Sequence, residues 1–229
     1  MRILLIGGSG LLGTALRRLW KQHDIIAPGH EALDIFDDVA LKTAIETDKP
    51  EWIVNCAAYN NVDAAEGPDH DLALRMNAEA PEHLARAAAS QNIPFIHFST
   101  DYVFDGSNIE GYAEQDIARS GSVYGQSKRL GEQNALRVQP NSYIIRTSRL
   151  YGSKAESANA KRSFPEIIFE DARKAAHILV NGREVSAPTF VDDLAKHVNT
   201  HILQAKPEPG IYHISNAGGA TWFEWAAEI

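Results

Sequence analysis

Ile3-Leu4-Leu5-Ile6-Gly7-Gly8-Ser9-Gly10-Leu11-Leu12-Gly13 is the stretch whose reading decides the architecture. Four consecutive apolar residues run straight into glycines, and the glycines open a segment of helical period, Leu11–Gln22. An unbroken apolar run reads as a strand buried on both faces, which is the situation in a parallel sheet covered by helices. The glycines satisfy G-x-x-G-x-x-G from Gly7 and G-x-G-x-x-G from Gly8. Such a turn lets the chain fold back tightly, brings backbone N–H groups onto a pyrophosphate and packs the helix close to the sheet. The helix N-terminus then offers partial positive charge to the phosphates. Strand, glycine turn and helix in this order predict a dinucleotide site, with Gly7, Gly10, Leu11, Leu12 and Gly13 as cofactor-binding residues.

Outward from that turn, short apolar runs alternate with helix-like segments. The runs are Ile25–Ala27, Trp52–Cys56, Phe95–Phe98, Tyr143–Ile145, Ile178–Val180 and Ile211–Ile214. Between them lie Val39–Glu46, Leu72–Ser90, Tyr124–Arg137, Phe164–Ala175 and Val191–Gln204. This alternation predicts an α/β fold, a Rossmann-type doubly wound parallel sheet. We expect an NAD(P)-binding part over 1–148 and a smaller substrate-binding lobe over 149–229, interleaved with the sheet. The polar segment Gly152–Ser163 reads either as a mobile loop leading into that lobe or as a plain surface loop. Thr221-Trp222-Phe223-Glu224 is a capping box that starts a helix of barely two turns. The expectation is that a C-terminal part of the lobe is missing after Ile229.

Composition narrows the function classes. The chain has 229 residues, 44% of them hydrophobic, and a formal net charge of −8. That charge leaves no electrostatic footprint for nucleic acid and fits poorly with anionic lipid. No apolar run approaches the ~18 residues of a membrane span. Cys56 is the single cysteine, so no internal disulfide forms, in keeping with a cytoplasmic location. No His spacing suggests a metal site. Carboxylates Asp63 and Glu66 are read as a helix N-terminal charge pair rather than a catalytic dyad, and Trp222 and Trp225 as packing residues.

The end of the second strand, Pro28-Gly29-His30, lacks the acid that usually binds the ribose 2′-OH of NAD. Asp34 lies about 20 residues past the glycines, the spacing expected of that acid. It follows a turn, however, so it can instead cap the next helix near Ile35, at the adenine edge. The cofactor is therefore NADPH or NADH.

Ser99-Thr100 closes the fourth run, where such folds place ligands. Tyr124-Gly125-Gln126-Ser127-Lys128 begins a helix, with Tyr and Lys on one face at i and i+4. An ammonium near the phenol, together with an oxidised nicotinamide, favours the phenolate. Tyr124 then serves as proton donor to a carbonyl oxygen that Thr100 also holds. Thr100, Tyr124 and Lys128 are the catalytic candidates, with Tyr124 and Lys128 also beside the cofactor. Asn77, unfavourable inside a helix, is read as holding active-site backbone or a water.

These segments resemble the extended short-chain dehydrogenases/reductases, and more narrowly the dTDP-4-dehydrorhamnose reductase family. The resemblance rests on Gly7–Gly13, Leu33-Asp34-Ile35, Asn55-Cys56-Ala57-Ala58-Tyr59, Val62–Glu66, Ser99–Gly106, Tyr124–Lys128, Arg146-Thr147-Ser148 and Gly210–His213, and it runs the whole length. It implies reduction of the 4-keto group of a dTDP-4-dehydro-6-deoxy-L-hexose in dTDP-L-rhamnose synthesis. It also implies that Asp34, Ile35, Ala57, Ala58 and Tyr59 flank the cofactor, and that Val62, Asp101, Tyr102 and Arg149 line the substrate. Related dehydratases carry an Asp-Glu pair after this Thr, and Asp101-Tyr102 favours plain ketone reduction. Arg149 stands where the family usually has Trp, and Ser153–Ser163 lacks the family's Gly-Asn-Phe pattern. Two other readings remain open: a non-catalytic NADP-binding regulatory subunit, and a sugar-nucleotide epimerase. A homodimer is carried as an expectation.

Overall fold

Alternate residues of the first strand, β1 (Arg2–Ile6), divide between two cores. Ile3 and Leu5 join Leu16, Trp20, Val191 and Val198 on one face, while Leu4 and Ile6 join Leu41, Ile45 and Leu84 on the other. The period of two makes both faces of the strand apolar, so a helical layer must cover each. Full burial of each such side chain contributes about 1.5–3 kcal/mol.

In this computed structural model, residues 1–158 and 160–229 are described, so residue 159 of the polar segment 152–163 lies outside the described residues. After β1 come α1 (Leu11–Leu19), β2 (Asp24–Ile26), α2 (Asp38–Asp48) and β3 (Trp52–Asn55). Next are α3 (Val62–Ala65), α4 (His70–Leu74), α5 (Ala80–Ser90), β4 (Phe95–Thr100), α6 (Val123–Val138) and β5 (Ser142–Thr147). Then follow β6 (Leu150–Tyr151), α7 (Phe164–Ala172), β7 (Val185–Ser186), β8 (Thr189–Phe190) and α8 (Val191–Val198). The last elements are β9 (Gly210–His213), β10 (Ala220–Thr221) and α9 (Trp222–Ala227). Six strands form one parallel sheet in the order β2-β1-β3-β4-β5-β9. The chain leaves β1 for one side and returns to the other, so a crevice opens between the ends of β1 and β3. The Rossmann-type doubly wound sheet is therefore present.

The segment after residue 148 is woven into this sheet. Its strand β9 pairs with β5, Arg146 facing His213, and α8 packs on α1 with the Trp20 indole donating to the Ala195 carbonyl at 2.8 Å. Two details differ from the sequence reading. Ile178–Val180 is not a strand. Leu179 is fully exposed, and Ile178 and Val180 instead line an apolar groove with Ile168 and Phe223. The helical stretch 70–90 is broken by a π turn, Arg75–Glu79, just before Pro81. Proline has no N–H for the carbonyl of residue 77, so the regular ladder cannot run through. No helix among the described residues is long and apolar enough to cross a membrane.

Under the sheet's carboxyl edge, Arg146 of β5 makes a two-pronged pair with Glu132 of α6, at 2.9 and 2.7 Å, and both side chains are buried. Removing one partner leaves the other charge in the core. Glu132→Gln is expected to lower unfolding free energy by about 3–5 kcal/mol in a urea titration. The double variant Glu132→Leu/Arg146→Met should lose less than the single one.

Candidate active site

The crevice is built on glycine at two points. Gly7 has φ +76°, and a Cβ there would lie 2.6 Å from the Ala57 amide nitrogen. At Gly13 a Cβ would lie 2.2 Å from the Gly7 carbonyl oxygen. The turn is thus clamped between α1 and the end of β3. Gly10 differs: it is the extended N-cap of α1, and a Cβ there would meet only the Gly7 oxygen at 3.4 Å. A backbone cradle at a helix N-terminus with free space over Gly10 fits a pyrophosphate. Leu12 is buried in the core, so any phosphate contact from it is through the backbone. Ala57 N–H is fixed by the Asn55 side chain at 3.0 Å, and Asn55 also donates to the buried His97 ring at 3.1 Å. Asn77, fully buried in the π turn, accepts from Tyr59 N–H at 2.9 Å and donates to Tyr59 C=O and to Ser127 Oγ, both at 3.0 Å. It therefore ties the loop after β3 to α6.

Thr100 ends β4 and Tyr124 lies in the first turn of α6. Two features bring α6 close. Gly125 has no Cβ, and one would fall 2.0 Å from the Tyr102 carbonyl. The helix start is capped by Ser122, which accepts from Gly125 N–H, and by Glu66, which accepts from Val123 N–H at 2.6 Å. Glu66 therefore serves a helix N-terminus, though that of α6 rather than of its own segment. Tyr124 shares a small apolar cluster with Ala65 and Ala73, against which Tyr59, Val62 and Tyr102 pack.

The Thr100 hydroxyl lies close enough to the Tyr124 phenol to favour its ionised form. Burial is the largest influence on the phenol and pushes it up to about 12, against the Thr100 hydroxyl; the Asp101 charge adds to the rise. Lys128 does not reach the phenol. Its ammonium is buried and donates to the Phe98 carbonyl at 2.7 Å. Burial lowers it to about 8, opposed by the charges of Glu132 and Cys56. In the structure, then, the cation does not offset the burial of Tyr124. Ser99 Oγ is buried at the same strand end without a hydrogen-bond partner among the described residues.

A two-stranded ribbon, β7 with β10, closes over the turn after β4. Thr100 Oγ1 donates to Asp101 Oδ1 at 3.1 Å and accepts from Tyr102 N–H at 3.2 Å. Ser186 donates to Asp101 Oδ2, and Tyr102 O–H donates to Glu184 at 2.7 Å. Arg149 sits 3.9 Å over the Trp222 ring and donates to the Ala220 and Glu184 carbonyls. Its φ of +40° is unusual for a side chain of this size. With both Nη groups spent on the ribbon, only its buried Nε lacks a partner among the described residues. Sequence reading missed Glu184 and Ser186, which carry no local motif.

Asp34 is exposed and accepts from Phe36 N–H at 2.9 Å, a local turn, while Asp37 caps α2. Ile35 is half-buried beside the β1 core. Ala58 is half-buried in the same loop as Ala57. Parts of the polar segment 152–163 are tied to the glycine turn and to the loop after β3. Ser157 N–H donates to the Ser9 carbonyl at 2.9 Å, Glu156 N–H to Thr14 at 3.2 Å, and Lys161 to the Asn60 carbonyl at 3.1 Å.

Residues 1–229 match the family described as the RmlD substrate binding domain. A probable dTDP-4,6-dihydroxy-2-methyloxan-3-one 4-ketoreductase of Streptomyces antibioticus is 37% identical over 100% of this chain and 76% of its own. The dTDP-4-dehydrorhamnose reductase of Streptomyces griseus is 36% identical over 99% of this chain and 74% of its own. Among solved structures, dTDP-4-dehydrorhamnose reductase of Bacillus anthracis in complex with NADP superposes with TM-score 0.90 at 32% identity, covering 99% of this chain and 79% of that one. UDP-glucose 4-epimerase of Thermus thermophilus in complex with NAD has TM-score 0.81 at 20% identity over 99% of this chain and 81% of its own, a likeness of fold alone.

The lowered Lys128 has a signed consequence. Between about pH 8 and the ordinary lysine value of 10.5 the unfolded chain binds a proton that the folded chain has released. Stability contributed at this position therefore rises with pH across that window. Measured against Lys128→Met, the parent should gain up to about 3 kcal/mol between those limits. A constant difference between the two unfolding curves would mean that Lys128 is not buried as a cation.

Proposed function

The chain belongs to the dTDP-4-dehydrorhamnose reductase family, and from that premise we propose that it is an NAD(P)H-dependent oxidoreductase that reduces the 4-keto group of a dTDP-linked 4-dehydro-6-deoxy sugar. The observation that carries this is that Thr100, with the Tyr124 phenol close to it, ends β4 on the same carboxyl edge of the sheet from which the open turn at Gly10 leaves β1. Residues 1–148 hold the dinucleotide and residues 149–229 complete the sugar side, where Arg149, Glu184 and Ser186 shape the turn that bears Asp101. Asp101-Tyr102 in place of paired carboxylates favours reduction over elimination.

The residues divide the work. The bound dinucleotide supplies a hydride. Gly7, Gly10 and the first N–H groups of α1 hold its phosphates, flanked by Ala57, Ala58 and Tyr59. Lys128 has two hydrogens beyond the one given to Phe98, enough to bind ribose hydroxyls. Tyr124, kept protonated by burial, gives its proton to the substrate oxygen. Asp34 is engaged in its own turn and no acid ends β2, which supports use of NADPH as well as NADH. A cytoplasmic location belongs to the same proposal and is supported by the lone, unpaired Cys56.

Two measurements test the reading. A Cβ at Gly10 meets only the Gly7 oxygen, at ordinary contact distance, so Gly10→Val puts a branched side chain into the space over the helix N-terminus. NADPH titration should therefore lose its signal while the melting curve stays. Tyr124→Phe should lower kcat by about 10²–10⁴ with dTDP-4-dehydro-6-deoxy-L-hexose, with NADPH affinity nearly unchanged. Parent-like turnover by this variant would remove Tyr124 from the chemistry. A parent that binds NADPH and reduces no 4-keto sugar nucleotide would instead favour the regulatory-subunit reading.

A further inference from the structure

Thr100 has one hydrogen to donate and two lone pairs. Its hydrogen goes to Asp101 Oδ1, and one lone pair takes Tyr102 N–H. The remaining lone pair is what it can offer the Tyr124 phenol beside it, so with Asp101 ionised a hydrogen bond between the two runs from the phenol to Thr100. Every hydrogen in the chain then points from Tyr124 through Thr100 to the carboxylate. That direction is wrong for giving a proton to a substrate, because the phenol hydrogen is already committed.

We infer that Asp101 is the proton store of the site: a proton on its carboxyl reverses the hydrogen bonds through Thr100 and refills Tyr124 after the phenol has protonated the substrate. This rests on the reductase reading above. Protonated Asp101 donates from Oδ1 to Thr100, Thr100 turns its hydrogen to the phenol oxygen, and the phenol hydrogen is released toward the carbonyl. Ser186 donates to Oδ2 in both states, and Tyr102 N–H donates to Thr100 in both. When hydride reaches the carbonyl carbon, its oxygen takes the Tyr124 proton. The Thr100 hydrogen passes to the phenolate and the Asp101 proton passes to Thr100. The ketone has gained hydride and one proton, Asp101 is left ionised, and its half-buried carboxylate regains a proton from water.

The surroundings suit a carboxyl that changes state. Burial raises Asp101 above the ordinary carboxylate value, opposed by the Ser186 and Thr100 hydrogen bonds and by the Arg149 charge. The titratable and charged groups facing it are Tyr124 of α6, Tyr102 of its own turn with Glu184 behind it, and Arg149. Arg149 turns its Nη groups to ribbon carbonyls and to Glu184, so its charge lies near Asp101 without a direct bond that would lock the carboxylate ionised.

The first test needs no substrate. The Asp101 carboxyl is followed by carbon-13 NMR against pH in the full chain with NADP⁺, assigned by its loss in Asp101→Asn. The expected midpoint is above the ordinary carboxylate value of about 3.9. Ser186→Ala should move it higher still, because Ser186 favours the ionised form. A midpoint at or below the ordinary value overturns the proposal. The second test is kinetic, with NADPH and dTDP-4-dehydro-6-deoxy-L-hexose. Asn at this position can donate to Thr100 but has no proton to give. Asp101→Asn should lower kcat by roughly tenfold to a hundredfold with KM little changed. Parent kcat should fall as pH rises through the NMR midpoint, the Asn variant should lack that limb, and Asp101→Glu should restore it. An unaltered limb in Asp101→Asn overturns the proposal. A parent without turnover overturns the reductase reading alone, and the NMR midpoint still decides the proton store.

Discussion

The contact between Gly7 and the backbone of Ala57 is the constraint from which the site follows. It forces β1 and β3 to end at the same level and sets the turn into α1 against the loop that leaves β3. Because β4 continues the same parallel register, Thr100 comes out on that edge too, and β5 brings Thr147 beside it. The crevice therefore has the open glycine turn at one end and the Thr100 hydroxyl with the Tyr124 phenol at the other. No single side chain makes that layout. It is a property of parallel strands that share one carboxyl edge.

Burial decides the electrostatics where sequence spacing suggested pairing. Tyr and Lys at i and i+4 share a helix face, yet the ammonium turns to the Phe98 carbonyl and leaves the phenol to Thr100. A buried cation with one hydrogen-bond partner among the described residues is a costly group to fold around, as is a buried phenol beside a carboxylate. Such costs gather where a protein holds groups ready for a ligand rather than for each other. Asn55, Asn77 and His97 show the supporting side of this arrangement. They are polar, buried and placed to fix backbone rather than to react.

The fold was legible because its signals are local. Apolar runs, the glycine turn and the Thr221 capping box each follow from a few adjacent residues, and the structure has them. Tyr124 and Thr100 were legible for the same reason. Long-range partners were not. Glu184 and Ser186 reach the active-site turn from more than 80 positions away, and nothing in their neighbourhood marks them. Ile178–Val180 shows the converse failure: an apolar triplet reads as a strand, but a strand also needs an edge to pair with, and that depends on distant residues. Asp34 had the right spacing for a ribose ligand, yet its carboxylate closes a turn two residues on.

Between β5 and β9, neighbours in the sheet, the chain makes an excursion of some sixty residues. Part of it, α8, is anchored in the core against α1, but the stretch that includes β7 and the segment over Ser9 lies outside the two cores. The sheet is therefore indifferent to the length of that stretch, since the entropy of closing a loop grows only slowly with its size. Insertions and substitutions there leave the register of both bounding strands intact. Gly7 and Gly13 have no comparable latitude. The geometry thus separates a turn fixed by sterics at Gly7 and Gly13 from an excursion whose length and side chains can change without disturbing the sheet beneath it.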